Sequence, residues 1–91
     1  MSGGRWADKR TVLGRALAIL DSFSAERPAL RLVDISRKTG LPAATVFRVV
    51  RELCEWGAVE RTSDLRYRIG PRLSRLAELR DIAAHSHGPA K

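Results

Sequence analysis

A mainly α-helical domain with one small β-hairpin is the fold class that this sequence predicts, and three observations predict it. Apolar residues recur at helical spacing in four stretches, near 11–24, 33–39, 43–56 and 71–84. The second and third stretches are separated only by Gly40, Leu41 and Pro42, which leaves room for a tight turn and nothing more. Between the third and fourth, two short β-like runs, 58–61 and 66–69, flank Thr62-Ser63-Asp64-Leu65, where Ser and Asp favour a turn.

The first helix, 11–24, has Thr11 as its natural cap. Its apolar residues are too many for one stripe. Leu13, Leu17 and Leu20 form one seam, and Val12, Ala16, Ile19 and Phe23 form another. One seam suits the domain core. The second suits a partner subunit, or else the helix is central and buried on most sides. Pro28 marks a turn, and residues 30–32 suit a short extended piece. The second helix, 33–39, turns Ile35 inward and ends at Gly40. The third, 43–56, carries Val46, Val49, Val50 and Leu53 at i, i+3, i+4 and i+7, and Gly57 stops it. Its opposite side holds Ala44, Arg48, Arg51 and Glu55. Trp56 is expected to close the core at its end. Gly70-Pro71 opens a last helix to about residue 84, with Leu73, Leu76, Leu79 and Ala83 on one side. Residues 1–10 suit a flexible basic arm, in which Trp6 either packs or touches a partner. Residues 85–91 suit a disordered tail.

Composition narrows the function classes. The chain has 91 residues and a formal net charge of +7, and its basic residues are mostly arginine. An anionic partner follows, nucleic acid before a membrane surface. Arginine's planar fork suits phosphate and guanine edges. Aromatic residues are too few for an RNA-recognition sheet or a single-strand stacking platform. The single cysteine, Cys54, excludes an intrachain disulfide and a cysteine-cluster zinc site, and reads as a small core hydrophobe. His85 and His87 have no companion ligands, so no metal and no cofactor are expected. No stretch approaches the roughly 20 apolar residues of a membrane span, and the cytoplasm is the expected location. No carboxylate pair, nucleophile–base pair or phosphate-cradling loop supports an enzyme. Asp34, Glu52, Glu55 and Glu60 all suit surface positions.

Helix, helix–turn–helix, hairpin and helix is the order of a winged helix-turn-helix followed by a linker helix, the second helix of the motif lying in the DNA major groove. Ile35 and Val46 suit the contact between the paired helices, Ser36 their close crossing, and Gly40 the turn. The stretches "GRALAILDSFSAERPAL", "VDISRKTGLPAATVFRVVRELCEWGAVER" and "RYRIGPRLSRLAEL" resemble the N-terminal DNA-binding domain of IclR-type transcription regulators, over about residues 11–80. The resemblance implies binding of an operator by dimers or tetramers, usually in repression. It also implies a larger C-terminal domain that takes a small-molecule effector, so the chain is expected to be an excised fragment of such a regulator or, as the less favoured alternative, an unusual stand-alone one.

Five positions depart from that family pattern. Ala43-Ala44 stand where polar residues are common, and Phe47 where histidine or tyrosine often stands. Leu65 replaces the usual glycine of the wing turn, which predicts a differently shaped tip. Arg31 replaces a capping Ser or Thr.

The candidate DNA contacts are Ala43, Ala44, Thr45, Phe47, Arg48 and Arg51 on the third helix, with Thr45 and Arg48 leading. Arg37 and Lys38 at the end of the second helix, and Arg61, Arg66 and Arg68 on the hairpin, are candidates for the DNA backbone or minor groove. Arg66 and Arg68 share one face of their strand, and Tyr67 packs on the other. The expected partner is double-stranded DNA, bound by a homodimer at an inverted-repeat operator, with Val12, Ala16, Ile19 and Phe23 as candidate dimer contacts. The rival reading is a winged-helix protein-interaction module, for which Ala43-Ala44 speak as a poor reading head.

Overall fold

The computed structural model describes the backbone of residues 8–90 and the side chains of residues 8–83. Within that range the order is α1 (Val12–Asp21), α2 (Leu32–Thr39), α3 (Ala43–Trp56), β1 (Val59–Arg61), β2 (Tyr67–Ile69) and α4 (Pro71–Ala90). Trp6 and residues 1–7 of the expected arm lie outside the described residues. Residues 8–10 are tied down: the Thr11 N–H donates to the Asp8 carbonyl at 3.1 Å, and the Arg15 guanidinium donates to the Lys9 carbonyl at 2.9 Å.

Local chemistry explains the helix boundaries. The Thr11 hydroxyl accepts the Gly14 N–H at 2.9 Å and caps α1. Gly14 must lack a side chain, because a Cβ there would stand 1.7 Å from the Asp8 carbonyl oxygen. At α2, Arg31 is the N-cap and has no acceptor to offer. The Asp34 carboxylate instead takes the Arg31 N–H at 3.1 Å, which is the reverse half of a capping box. Gly40, at φ 78°, ends α2 in the left-handed conformation. Gly57, at φ 99°, ends α3, and the Ala58 N–H reaches back to the Leu53 carbonyl at 2.9 Å in a Schellman closure.

The core lies where α1, α2 and α3 meet the hairpin. Ile19, Leu30, Ile35, Leu41, Val46, Val50 and Val59 form it, and Leu20, Phe23, Leu32, Val49, Leu53, Cys54 and Tyr67 pack against it. Ile35 and Val46 are fully buried, as the helix-turn-helix reading requires. Each such side chain stabilises the fold by roughly 1.5–3 kcal/mol relative to exposure. In the hairpin, Val59 faces Ile69, Glu60 faces Arg68 and Arg61 faces Tyr67. Leu30 adds one more rung, exchanging hydrogen bonds of 2.9 and 2.7 Å with Tyr67.

Several expectations are corrected. Of the seam Val12, Ala16, Ile19 and Phe23, the last two are not available to a partner subunit. Ile19 is fully buried in the core and Phe23 packs against it, while Val12 and Leu13 are both exposed. The apolar surface of α1 therefore divides by height along the helix, not into two parallel stripes. Trp56 does not close the core: it is 42% exposed, with the Arg72 guanidinium 4.3 Å from its ring centroid. Asp34 is buried, not on the surface. The extended piece at 30–32 shrinks to Leu30, because α2 already starts at Leu32. Each strand is one residue shorter at its N-terminal end, and α4 continues to Ala90 through the stretch expected to be a disordered tail.

Candidate nucleic-acid interface

The turn between α2 and α3 sets where the reading helix points, and side chains lock it. The Ser36 hydroxyl donates to the Leu41 carbonyl at 2.6 Å. The Thr39 hydroxyl donates to the Ile35 carbonyl at 2.8 Å and accepts the Leu41 N–H at 3.2 Å. Ser36 thus does more than make room for a crossing. Lys9 also donates its ammonium to the Thr39 carbonyl, which fastens the N-terminal turn to the same joint. With Leu41 buried behind it, Pro42 leads into α3, and no side chain caps that helix. The first amides of α3 are accordingly open to an outside acceptor.

The outer face of α3 presents what the sequence proposed. Ala43, Ala44, Phe47, Arg48 and Arg51 are exposed, and Thr45 is half-buried in the first turn. Arg48 makes no hydrogen bond or ion pair with a described residue, whereas Arg51 lies 3.9 Å from Glu55 one turn on. Arg48, Arg51, Glu52, Glu55 and Trp56 line an open groove of about 600 Å³ along this face. Phe47 does not retreat into the core, being 51% exposed.

Around this face the other cationic candidates differ in how engaged they are. Arg37 and Lys38 are exposed at the end of α2, and Arg37 lies 3.6 Å from Asp34. Asp34 also meets Arg27 at 3.3 Å and Arg31 at 3.9 Å. The Arg31 N–H, with the three guanidinium charges, holds its carboxyl below the usual value against the effect of burial. On the hairpin, Arg66 lies 3.3 Å from Asp64, and Arg68 donates to Glu60 at 2.6 Å, directly across the strands. Arg61 is exposed and close enough to Cys54 to oppose the upward push of burial on its thiol. That thiol stays protonated near neutrality, which fits a packing role. The wing tip bends through Leu65 at φ 66°, so the leucine adopts the left-handed geometry expected only of a glycine. The Thr62 N–H donates to the Arg66 carbonyl at 2.8 Å, and the Thr62 hydroxyl also bonds the Asp64 carboxylate.

Sequence reasoning missed Lys9 and the Trp56–Arg72 stack. Spacing carries no signal for either, because each joins residues distant along the chain. Among the described residues no group of three His, Cys, Asp or Glu side chains suits a metal ion, and no helix is long and apolar enough to cross a membrane.

This geometry is that of a known domain type. The family model of the IclR helix-turn-helix domain matches residues 12–63. The chain belongs to the IclR family. It carries the winged-helix DNA-binding domain of a transcription regulator. An IclR homologue from Microbacterium sp. strain HM58-2 is 36% identical with a TM-score of 0.76, over 82% of this chain and 32% of that one. A homologue from Microbacterium hydrocarbonoxydans, whose crystal holds 4-hydroxybenzoate, is 38% identical with a TM-score of 0.70, over 72% and 28%. An IclR family transcriptional regulator from Brucella abortus is 26% identical with a TM-score of 0.71, over 87% and 33%. The chain thus spans about a third of the length of these relatives. No curated protein matches it.

Proposed function

We propose that this domain binds duplex DNA sequence-specifically, as the reading module of a repressor-type IclR regulator. One observation carries the reading: a buried two-helix joint holds α3 with Ala43, Ala44, Phe47, Arg48 and Arg51 outward and Thr45 half-exposed beside them, and Arg48 has no partner among the described residues. α3 enters the major groove, where Arg48 matches the acceptor pair of a guanine edge. Arg37, Lys38 and the hairpin arginines meet phosphates and position the helix. Two copies bind an inverted repeat. Their contact uses Val12, Leu13 and Ala16 of α1 together with Leu76, Leu79 and Ile82 of α4, of which all but Ala16 are well exposed. Effector control belongs to a C-terminal domain, the part of the relatives outside the matched stretch.

The test is selection from random duplexes, followed by binding of the winner across a salt series. The expected outcome is an inverted repeat, a steep loss of affinity with salt, and a cost of about 1–3 kcal/mol for Arg48→Ala with relaxed preference at one position. Absence of binding at low salt overturns the reading and favours the protein-interaction module, for which the exposed Phe47 would be the contact.

A further inference from the structure

The reading head divides into two chemistries. The turn behind its tip carries charge: Arg48 lies one turn after Ala44, and Arg51, beside Glu55, one turn after Phe47. Its tip is apolar. Ala43 and Ala44 stand four and three residues before Phe47, so all three share one patch of the helix surface, and all three are exposed. Phe47 keeps half its surface in water although a partly buried core margin lies on the same helix. An apolar tip backed by arginines asks for a polyanion that carries apolar groups at groove depth. In duplex DNA the major-groove edge offers one such group on an unmodified base, the C5-methyl of thymine.

We infer that Ala43, Ala44 and Phe47 read thymine methyl groups in each half-site, beside the position read by Arg48. The inference rests on the DNA-binding reading above and adds the base class that the tip selects. Alanine brings the helix end close to the base pairs, and the Phe47 ring covers a methyl laterally. Specificity at these positions comes from van der Waals fit and loss of water, not from hydrogen bonds. Affinity for the methylated edge is thereby insensitive to salt, in contrast to the arginine contacts.

The test leaves the protein unchanged and removes methyls from the DNA. The selected duplex is compared with copies carrying deoxyuridine in place of single thymines in the half-site. Each contacted thymine is expected to cost about fourfold in affinity when its methyl is removed. Phe47→Ala should abolish most of that difference while leaving the salt slope intact, and the exposed site makes folding of the variant safe. Cytosine in place of such a thymine should bind worse than 5-methylcytosine, which separates the methyl from the rest of the thymine edge. Selected half-sites without constant thymines, or equal binding of thymine and deoxyuridine duplexes, overturn this inference while leaving DNA binding intact. Failure to bind any duplex overturns both.

Discussion

The helix-turn-helix and the base of the wing share one buried core, through Val59, while the outer part of the wing is held differently. The joint of α2 and α3 rests on fully buried Ile35, Val46 and Val50, with Ser36 and Thr39 fastening its turn to the backbone. The wing has strands of three residues, a leucine in a left-handed turn, and one cross-strand charge pair, Arg68 with Glu60, open to solvent. Burial fixes position, because a packed core permits few alternative arrangements. Exposed ion pairs contribute little and exchange readily for phosphate. A domain that must aim one helix accurately while adjusting to a backbone of variable shape gains from having both.

The sharpest break of this comparison is Ile35→Ala. It should destabilise the domain by about 2–5 kcal/mol in urea denaturation and abolish DNA binding with it. A cost under about 1 kcal/mol would mean that the joint is no more tightly packed than the wing. Asp34 tests the polar start of α2, at the opposite end of that helix from the turn. Its carboxyl sits below the ordinary 3.8, so the native state releases this proton more readily than the unfolded chain does. The resulting stability is present above about pH 4 and is lost as pH falls through the folded value. Melting temperature should fall more steeply below about pH 4 for the wild type than for Asp34→Asn. Parallel acid limbs would show that other carboxylates carry the effect.

Changes in the wing should be smaller, and one should be favourable. Leu65→Gly relieves the left-handed φ of 66° and should stabilise the domain by about 1 kcal/mol with the turn unchanged. A destabilised variant would mean that the leucine side chain contributes packing that outweighs its backbone conformation. Least costly of all, Glu60→Ala breaks the Arg68 pair and should move stability by no more than about 1 kcal/mol. If the freed guanidinium reaches phosphate, the salt slope of DNA binding should steepen by about 1. An unchanged slope would place Arg68 away from the DNA.

What was legible in the sequence was the part governed by periodicity and punctuation. α3 runs from Ala43 to Trp56 as its spacing predicted, and Gly40 and Gly57 both adopt positive φ at the helix ends. The outward set Ala44, Arg48 and Arg51 follows from 100° steps alone. Contacts between distant residues were not legible. Ile19 could not be assigned from α1 itself, because both of its seams were apolar and only the packing of α3 and α2 against its C-terminal half decides which residues are covered. Trp56 is expected from the sequence to close the core at the end of the third helix, yet it stands on the face of Arg48, Arg51, Glu52 and Glu55, with Arg72 as partner. Arg31 seemed a poor cap until Asp34 supplied the bond from the other direction. Leu65 shows the remaining limit, since a short hairpin anchored by β1 and β2 imposes its turn geometry on whatever residue stands there.

The seam after the wing has a mechanical consequence. The Gly70 N–H donates to the Ala58 carbonyl at 2.8 Å, and the Arg72 N–H to the Gly57 carbonyl at 3.1 Å. A Cβ on Gly70 would come within 2.5 Å of that same Gly57 oxygen, and the Arg72 guanidinium donates to the Trp56 carbonyl at 3.3 Å. The root of α4 is thus clamped to the tail of α3. At about 1.5 Å per residue, the 20 residues of α4 make a rod of roughly 30 Å. Torque applied at its far end reaches the reading helix through a joint with little slack, as through a tiller welded to its rudder.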